Sequence, residues 1–161
     1  MVNLRPVAFV TAVFTVVCVV SPGLTAFAQP DVSASCAALM VAETGELIYG
    51  KNEHDRRSMA STTKIMTSLL AIEALTPQRK ITVSADMLNV EGTSMGLLPG
   101  DTVTLEGLVY GMLLQSGNDA ANVTAITLGG NVENFVSMMN KRAGEIGMND
   151  THFETPSGLD S

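Results

Sequence analysis

Short apolar runs and polar breaks alternate along most of this chain, and their spacing predicts its elements. Ala37 to Val41 and Leu47-Ile48-Tyr49 flank Glu43-Thr44-Gly45, two apolar runs around a glycine-containing turn, which predicts a β-hairpin. Lys51 to Arg57 is polar and charged and reads as a solvated connector. From Ser61 the period changes. Ile65, Leu69 and Ile72 lie at i, i+4 and i+7, with Met66 and Leu70 beside them and Pro77 ending the run. That spacing predicts an amphipathic helix burying this face.

Ile81-Thr82-Val83 reads as a short strand, and Ser94 to Leu98 as another before a Pro99-Gly100-Asp101 turn, with Glu91-Gly92-Thr93 as loop between them. Thr104 is placed to cap a helix through Leu105, Leu108, Val109, Met112 and Leu113, which stops at Gln115-Ser116-Gly117-Asn118. The next helix runs from Asp119 to Leu128. Asn131 caps a fourth, in which Val132, Phe135, Val136, Met139, Ala143 and Ile146 form one face and Gly147 supplies the C-terminal stop. Met138 and Met139 read as core filling. Residues 151–161 read as strand and turn.

The first 28 residues stand apart. Arg5, the apolar run Val7 to Val20, the break at Pro22-Gly23 and the Ala26-Phe27-Ala28 site are the parts of a signal peptide, with cleavage after Ala28. The run is short for a membrane-spanning anchor. Residues 29–161 are then one exported domain, acting outside the cytoplasm. Its eight basic residues face 16 acids, which argues against a nucleic-acid partner. Cys18 leaves with the signal. Cys36 remains alone, so no internal disulfide forms, and it reads as a small buried residue.

The chemistry centres on Ala60-Ser61-Thr62-Thr63-Lys64. Ser61 and Lys64 share a helix face at i, i+3, and the amine can take the serine proton if it is neutral. Neutrality requires burial or neighbouring donors, and periodicity leaves the burial of Lys64 open, since it shares a side with Thr67 and Ser68. With 12 serines and four lysines, chance supplies about 0.3 Ser-x-x-Lys matches, and with nine asparagines about 0.7 Ser-x-Asn matches, so placement matters more than either motif. The first opens a helix. The second, Ser116-Gly117-Asn118, sits in a break between two helices, where Ser116 could relay a proton and Asn118 hold a substrate backbone. His54 and His152 have no metal-ligand spacing, and no Gly-x-Ser-x-Gly occurs.

In these blocks the chain resembles the penicillin-recognising serine enzymes, in particular the low-molecular-mass D-alanyl-D-alanine carboxypeptidases of the bacterial cell wall. Similar segments are Ala60 to Thr67, Gly96 to Asp101, Ser116 to Ala121, Phe135 to Asn140 and His152 to Leu159. The resemblance implies an α+β, β-lactamase/transpeptidase-like fold in incomplete form: the N-terminal hairpin and helical region, with C-terminal sheet strands missing. It implies Ser61 as acylated nucleophile, Lys64 as its base, Ser116 in proton transfer and Asn118 in substrate binding. The implied substrate is a peptidoglycan stem peptide ending in D-Ala-D-Ala, in wall synthesis and cell shape. β-Lactams are implied as acylating inhibitors. No metal or organic cofactor is implied.

Two departures qualify it. Met59 stands where the family usually has proline. The family's Lys-Thr-Gly is absent, because the four lysines are followed by Asn52, Ile65, Ile81 and Arg142. The chain also ends within a family block, so it is expected to be the N-terminal part of a longer enzyme, inactive by itself, with membrane association only through the missing C-terminal part. The alternatives are a β-lactamase-related hydrolase and a non-catalytic wall-binding pseudoenzyme. The first is disfavoured by Gly117 in place of Asp and by the lack of a Glu-x-x-Leu-Asn segment.

Overall fold

The computed structural model describes residues 30–159; the expected signal peptide, residues 1–28, and with it Cys18, lies outside the described residues. The chain divides after Asp55 into two compact units.

The first unit is the expected hairpin. Strands β1 (Ala37–Met40) and β2 (Leu47–Lys51) pair antiparallel, Ala37 opposite Lys51 and Leu39 opposite Tyr49, with a register shift between Leu39 and Met40. The residues ahead of β1 are tied to β2 by three side-chain donors. Tyr49 donates to the Pro30 carbonyl, Lys51 to that of Val32 and Asn52 to that of Ser35. Cys36 is only half-buried, contrary to expectation, because a two-stranded hairpin has little interior to enclose it.

In the second unit a 3-10 turn (Ala60–Thr62) leads into α1 (Thr63–Glu73). Strands β3 (Lys80–Thr82) and β4 (Thr102–Thr104) pair antiparallel with Ile81 opposite Val103. Helices α2 (Leu105–Gln115), α3 (Asn118–Gly129) and α4 (Val132–Glu145) follow. Thr104 caps α2 as predicted, its hydroxyl accepting from the Gly107 N–H at 3.0 Å, and Asn131 caps α4 through the Asn134 N–H at 2.7 Å. Two apolar clusters hold the helices. Ile81, Leu105, Leu108, Met112 and Val123 lie in one, and Met66, Phe135, Met139 and Phe153 in the other. The Arg142 guanidinium on α4 pairs with the Glu73 carboxylate on α1 at 2.6 Å.

Several expectations need correction. In α1, Ile65 and Ile72 are 63% and 60% exposed, whereas Thr63, Lys64, Met66, Thr67, Ser68 and Ala71 are buried. Small residues decide this: Ala71 packs with Ala120 and Ala121 of α3, a closeness that larger side chains would prevent. The helix also stops ahead of Pro77, at Glu73, where Leu75 turns left-handed at φ +54°. Ser94 to Leu98 forms no strand, since its N–H groups serve a carboxylate instead, and residues 151–159 are bends without a strand. Met138 is exposed, as are Leu113 and Ile146, the last lying just past the end of α4; Met139 is core as expected.

Helix α3 meets α4 at Gly129. A Cβ there would lie 2.7 Å from the backbone nitrogen of Phe135, which is itself fully buried and cannot give way. Gly129→Ala is therefore expected to destabilise the protein by about 1–3 kcal/mol, read as a lowered midpoint in urea unfolding. An unchanged midpoint would show that the two helices do not approach this closely.

Candidate active site

Ser61 lies exposed in the 3-10 turn that feeds α1, one residue after Ala60, whose φ of +45° is unusual for a residue with a Cβ. Lys64 follows in the first turn of α1 and is 1% exposed. Its Nζ lies 3.1 Å from Ser61 Oγ and 3.0 Å from the carbonyl oxygen of Ser157. The burial that periodicity left open is thus complete. It pushes the Lys64 amine below its ordinary pKa, because a desolvated ammonium is disfavoured.

The Ser116-Gly117-Asn118 stretch joins α2 to α3. Ser116 caps α2 in the left-handed region at φ +55°, and Asn118 is the first residue of α3, nearly buried. A neighbouring loop staples this stretch in place. Asn118 Nδ2 donates to the Glu91 carbonyl and its main-chain N–H to that of Thr93, both at 2.7 Å, while the Thr93 hydroxyl donates to the Ser116 carbonyl at 2.6 Å.

Asp119, which the sequence places at a helix start within the Ser116 to Ala121 block, closes the staple. Its carboxylate accepts from the Ser94 hydroxyl and from the N–H groups of Met95, Gly96 and Leu97, as well as from its own neighbour Ala120. Burial alone would raise its pKa. The bonds from Ser94, Met95, Leu97 and Ala120 outweigh burial and hold it below the usual carboxylate range. The available signal was an acid at a helix start, where free N–H groups and the dipole favour negative charge.

A third segment, residues 153–159, which the sequence places in a strand and turn and in a family-like block, packs beside them. Asn140 of α4 pairs with Phe153 as a peptide group would, donating to its carbonyl and accepting from its N–H, both at 2.8 Å. Thr67 donates to the Pro156 carbonyl at 2.7 Å. Gly158 has φ +77°, and a Cβ on it would collide with the Ala60 carbonyl and the Thr63 hydroxyl, so only glycine fits against the turn carrying Ser61. Asn118 and Ser157 line one cavity of about 150 Å³ together with Asn122 and Pro156. Lys64 and Asn118 therefore converge on the same short segment. Ser116 is not hydrogen-bonded to Ser61 or Lys64; it is held through its main chain.

Among the described residues no group of three His, Cys, Asp or Glu side chains is placed to hold a metal ion, and no helix is long and apolar enough to cross a membrane.

The chain as a whole is similar to known proteins in sequence and in structure. Residues 24–161 match the sequence family described as D-alanyl-D-alanine carboxypeptidase, and the chain belongs to that family. D-alanyl-D-alanine carboxypeptidase DacF of Bacillus subtilis is 38% identical over 131 residues, which cover 78% of this chain and 34% of the relative. Among solved structures, the D-alanyl-D-alanine carboxypeptidase DacD of Francisella tularensis superimposes with a TM-score of 0.78 at 37% identity, over 83% of this chain and 34% of that one. Penicillin binding protein 6B of Escherichia coli does so with a TM-score of 0.76 at 36% identity, over 82% and 45%. The fold is thus the incomplete α+β transpeptidase-like fold expected, and the chain spans about a third of the length of the curated relative.

The buried amine makes stability depend on pH. The unfolded chain holds the Lys64 proton up to about pH 10.4, whereas the folded chain releases it earlier, so stability rises with pH through the interval between the two values. Urea titrations from neutral to alkaline pH are expected to show this rise in the wild type relative to Lys64→Met. Parallel curves would mean that Lys64 is not desolvated.

Proposed function

We propose that this chain carries the nucleophile and base of a serine D-Ala-D-Ala carboxypeptidase that trims peptidoglycan stem peptides. The observation supporting it most is the Ser61–Lys64 pair at 3.1 Å, with the amine enclosed and its pKa lowered. Ser61 Oγ attacks the carbonyl carbon between the two D-alanines while Lys64 takes its proton. The C–N bond then breaks, and the departing D-alanine amine receives a proton through Ser116. The peptide is left as an ester on Ser61, and water hydrolyses it. Asn118 holds the peptide backbone, consistent with its place at the start of α3 on a cavity shared with Ser157.

The names of the relatives support the substrate and the acylation by penicillin, and export through residues 1–28 would bring the enzyme to the wall. No part of this reaction calls for a metal or organic cofactor. The Lys-Thr-Gly strand that the resemblance assigns to the far side of the substrate has no counterpart in the 161 residues. It supplies part of the oxyanion hole, and loss of one such donor costs about 10²–10³ in rate. On this reading the 161 residues alone turn over little or no substrate.

The natural gene product is expected to take up labelled penicillin on Ser61 and to lose labelling in Ser61→Ala; a folded protein that stays unlabelled would refute the acyl-serine. The 161-residue chain, which lacks the Lys-Thr-Gly motif, is expected to release little or no D-alanine from a D-Ala-D-Ala peptide. Efficient release would show that the third motif is dispensable.

A further inference from the structure

Lys64 is fixed by something beyond its own helix. A neutral amine has two N–H bonds and one lone pair. To act on Ser61 it must aim the lone pair at Oγ, and an acceptor for one N–H restricts its rotation. The Ser157 carbonyl, 3.0 Å away, is such an acceptor. Thr67, one turn along α1 and 0% exposed, donates to the carbonyl of the preceding residue, Pro156, at 2.7 Å. Two side chains on one helix face thus grip consecutive carbonyls of a segment remote in sequence.

We propose that Thr67 is a positioning residue for the base: its hydroxyl latches Pro156, and through it sets the Ser157 carbonyl that orients and encloses the Lys64 amine. The inference rests on the acyl-serine reading above, in which Lys64 is the base. Asn140, which grips Phe153 at the other end of the segment, is the second fastening. Proline at 156 suits the role, since its φ is fixed and it has no N–H needing a partner.

Among the described residues no other ionisable group competes for the amine. On α3, Asp119 is turned to the loop at 94–97; on α4, Arg142 pairs with Glu73 and Glu145; on α2, Glu106 accepts from Gln78. His152 and Glu154, on the latched segment itself, are exposed. Burial is the cause that lowers the Lys64 pKa, so loosening the segment admits water and returns the amine toward its ordinary value.

The test is Thr67→Val, which keeps the shape and removes the donor, with Thr67→Ser as the conservative rescue. Two readouts are needed. One is the titration of the Lys64 ε-carbon by NMR in this chain, which has only four lysines to assign. The other is the pH profile of penicillin acylation in the natural gene product. In Thr67→Val the Lys64 titration is expected to move to higher pH. Acylation at neutral pH should fall about tenfold, the scale of one lost buried hydrogen bond, with its acid limb moved in the same direction. Thr67→Ser should restore both. A folded Thr67→Val whose Lys64 titration superimposes on the wild type overturns the proposal, as does a rate loss with an unmoved profile, which marks a merely structural role. If Thr67→Val does not fold, Asn140→Ala is read in the same way, and an unmoved titration there overturns it too. A titration that moves while even the wild type resists acylation supports the latch and sinks the acyl-serine reading instead, so the two failures are distinguishable.

Discussion

Enclosing a lysine amine is the constraint that shapes the second unit. An ammonium taken out of water loses solvation that protein groups only partly return, and the loss is relieved when the group gives up its proton. Lys64 is 1% exposed, with a serine hydroxyl and a main-chain oxygen as its polar neighbours. Sealing it requires a helix face of small and hydroxyl-bearing residues, because bulky apolar ones would hold the covering backbone away. Thr63, Thr67, Ser68 and Ala71 are such residues. It also requires a covering segment able to lie on the entry turn, which is why residue 158 is glycine. The conformation of Ala60 belongs to the same closure, placing Ser61 outward while the lysine three residues on faces in.

A second constraint acts on the turn between α2 and α3. Ser116 sits in a left-handed conformation that a serine does not favour, and such positions persist when their surroundings over-determine them. Here the surroundings are the residues 91–97, bound through Asn118, Thr93 and above all Asp119. A buried carboxylate with this many donors stays charged at neutral pH and acts as a rigid post. The loop it holds has little other structure of its own.

Much of this was legible in the sequence. The hairpin, the caps at Thr104 and Asn131 and the four helices follow from local pattern, and so does the Ser61–Lys64 spacing. What was not legible depends on partners distant in sequence. The face of α1 was assigned by counting apolar positions, which put Ile65 and Ile72 inside; the backbone of residues 156–158 and the alanines of α3 reversed it. Ser94 to Leu98 alternates like a strand, yet its donors turn to a carboxylate more than 20 positions later. Asn140 resembled any polar helix residue until Phe153 was found opposite it. In the first unit the hairpin follows from local pattern, and the corrections are at Cys36 and at Lys51, which ends β2 and does not open the connector.

The fastening of residues 153–158 has a consequence for how such a protein can diversify. Asn140, Thr67 and Lys64 all grip main-chain atoms, at Phe153, Pro156 and Ser157. Grip on a backbone is indifferent to the side chain borne there. Phe153 and Pro156 are buried and committed to packing, but His152 and Glu154 are exposed and border a separate cleft of about 220 Å³ that also touches Ala60 and Thr63. Those two positions can exchange charge, size or polarity without disturbing the enclosed Lys64 amine. The wall of the cleft is thereby uncoupled from the surroundings of Lys64, and mutation can explore one while the other stays constant.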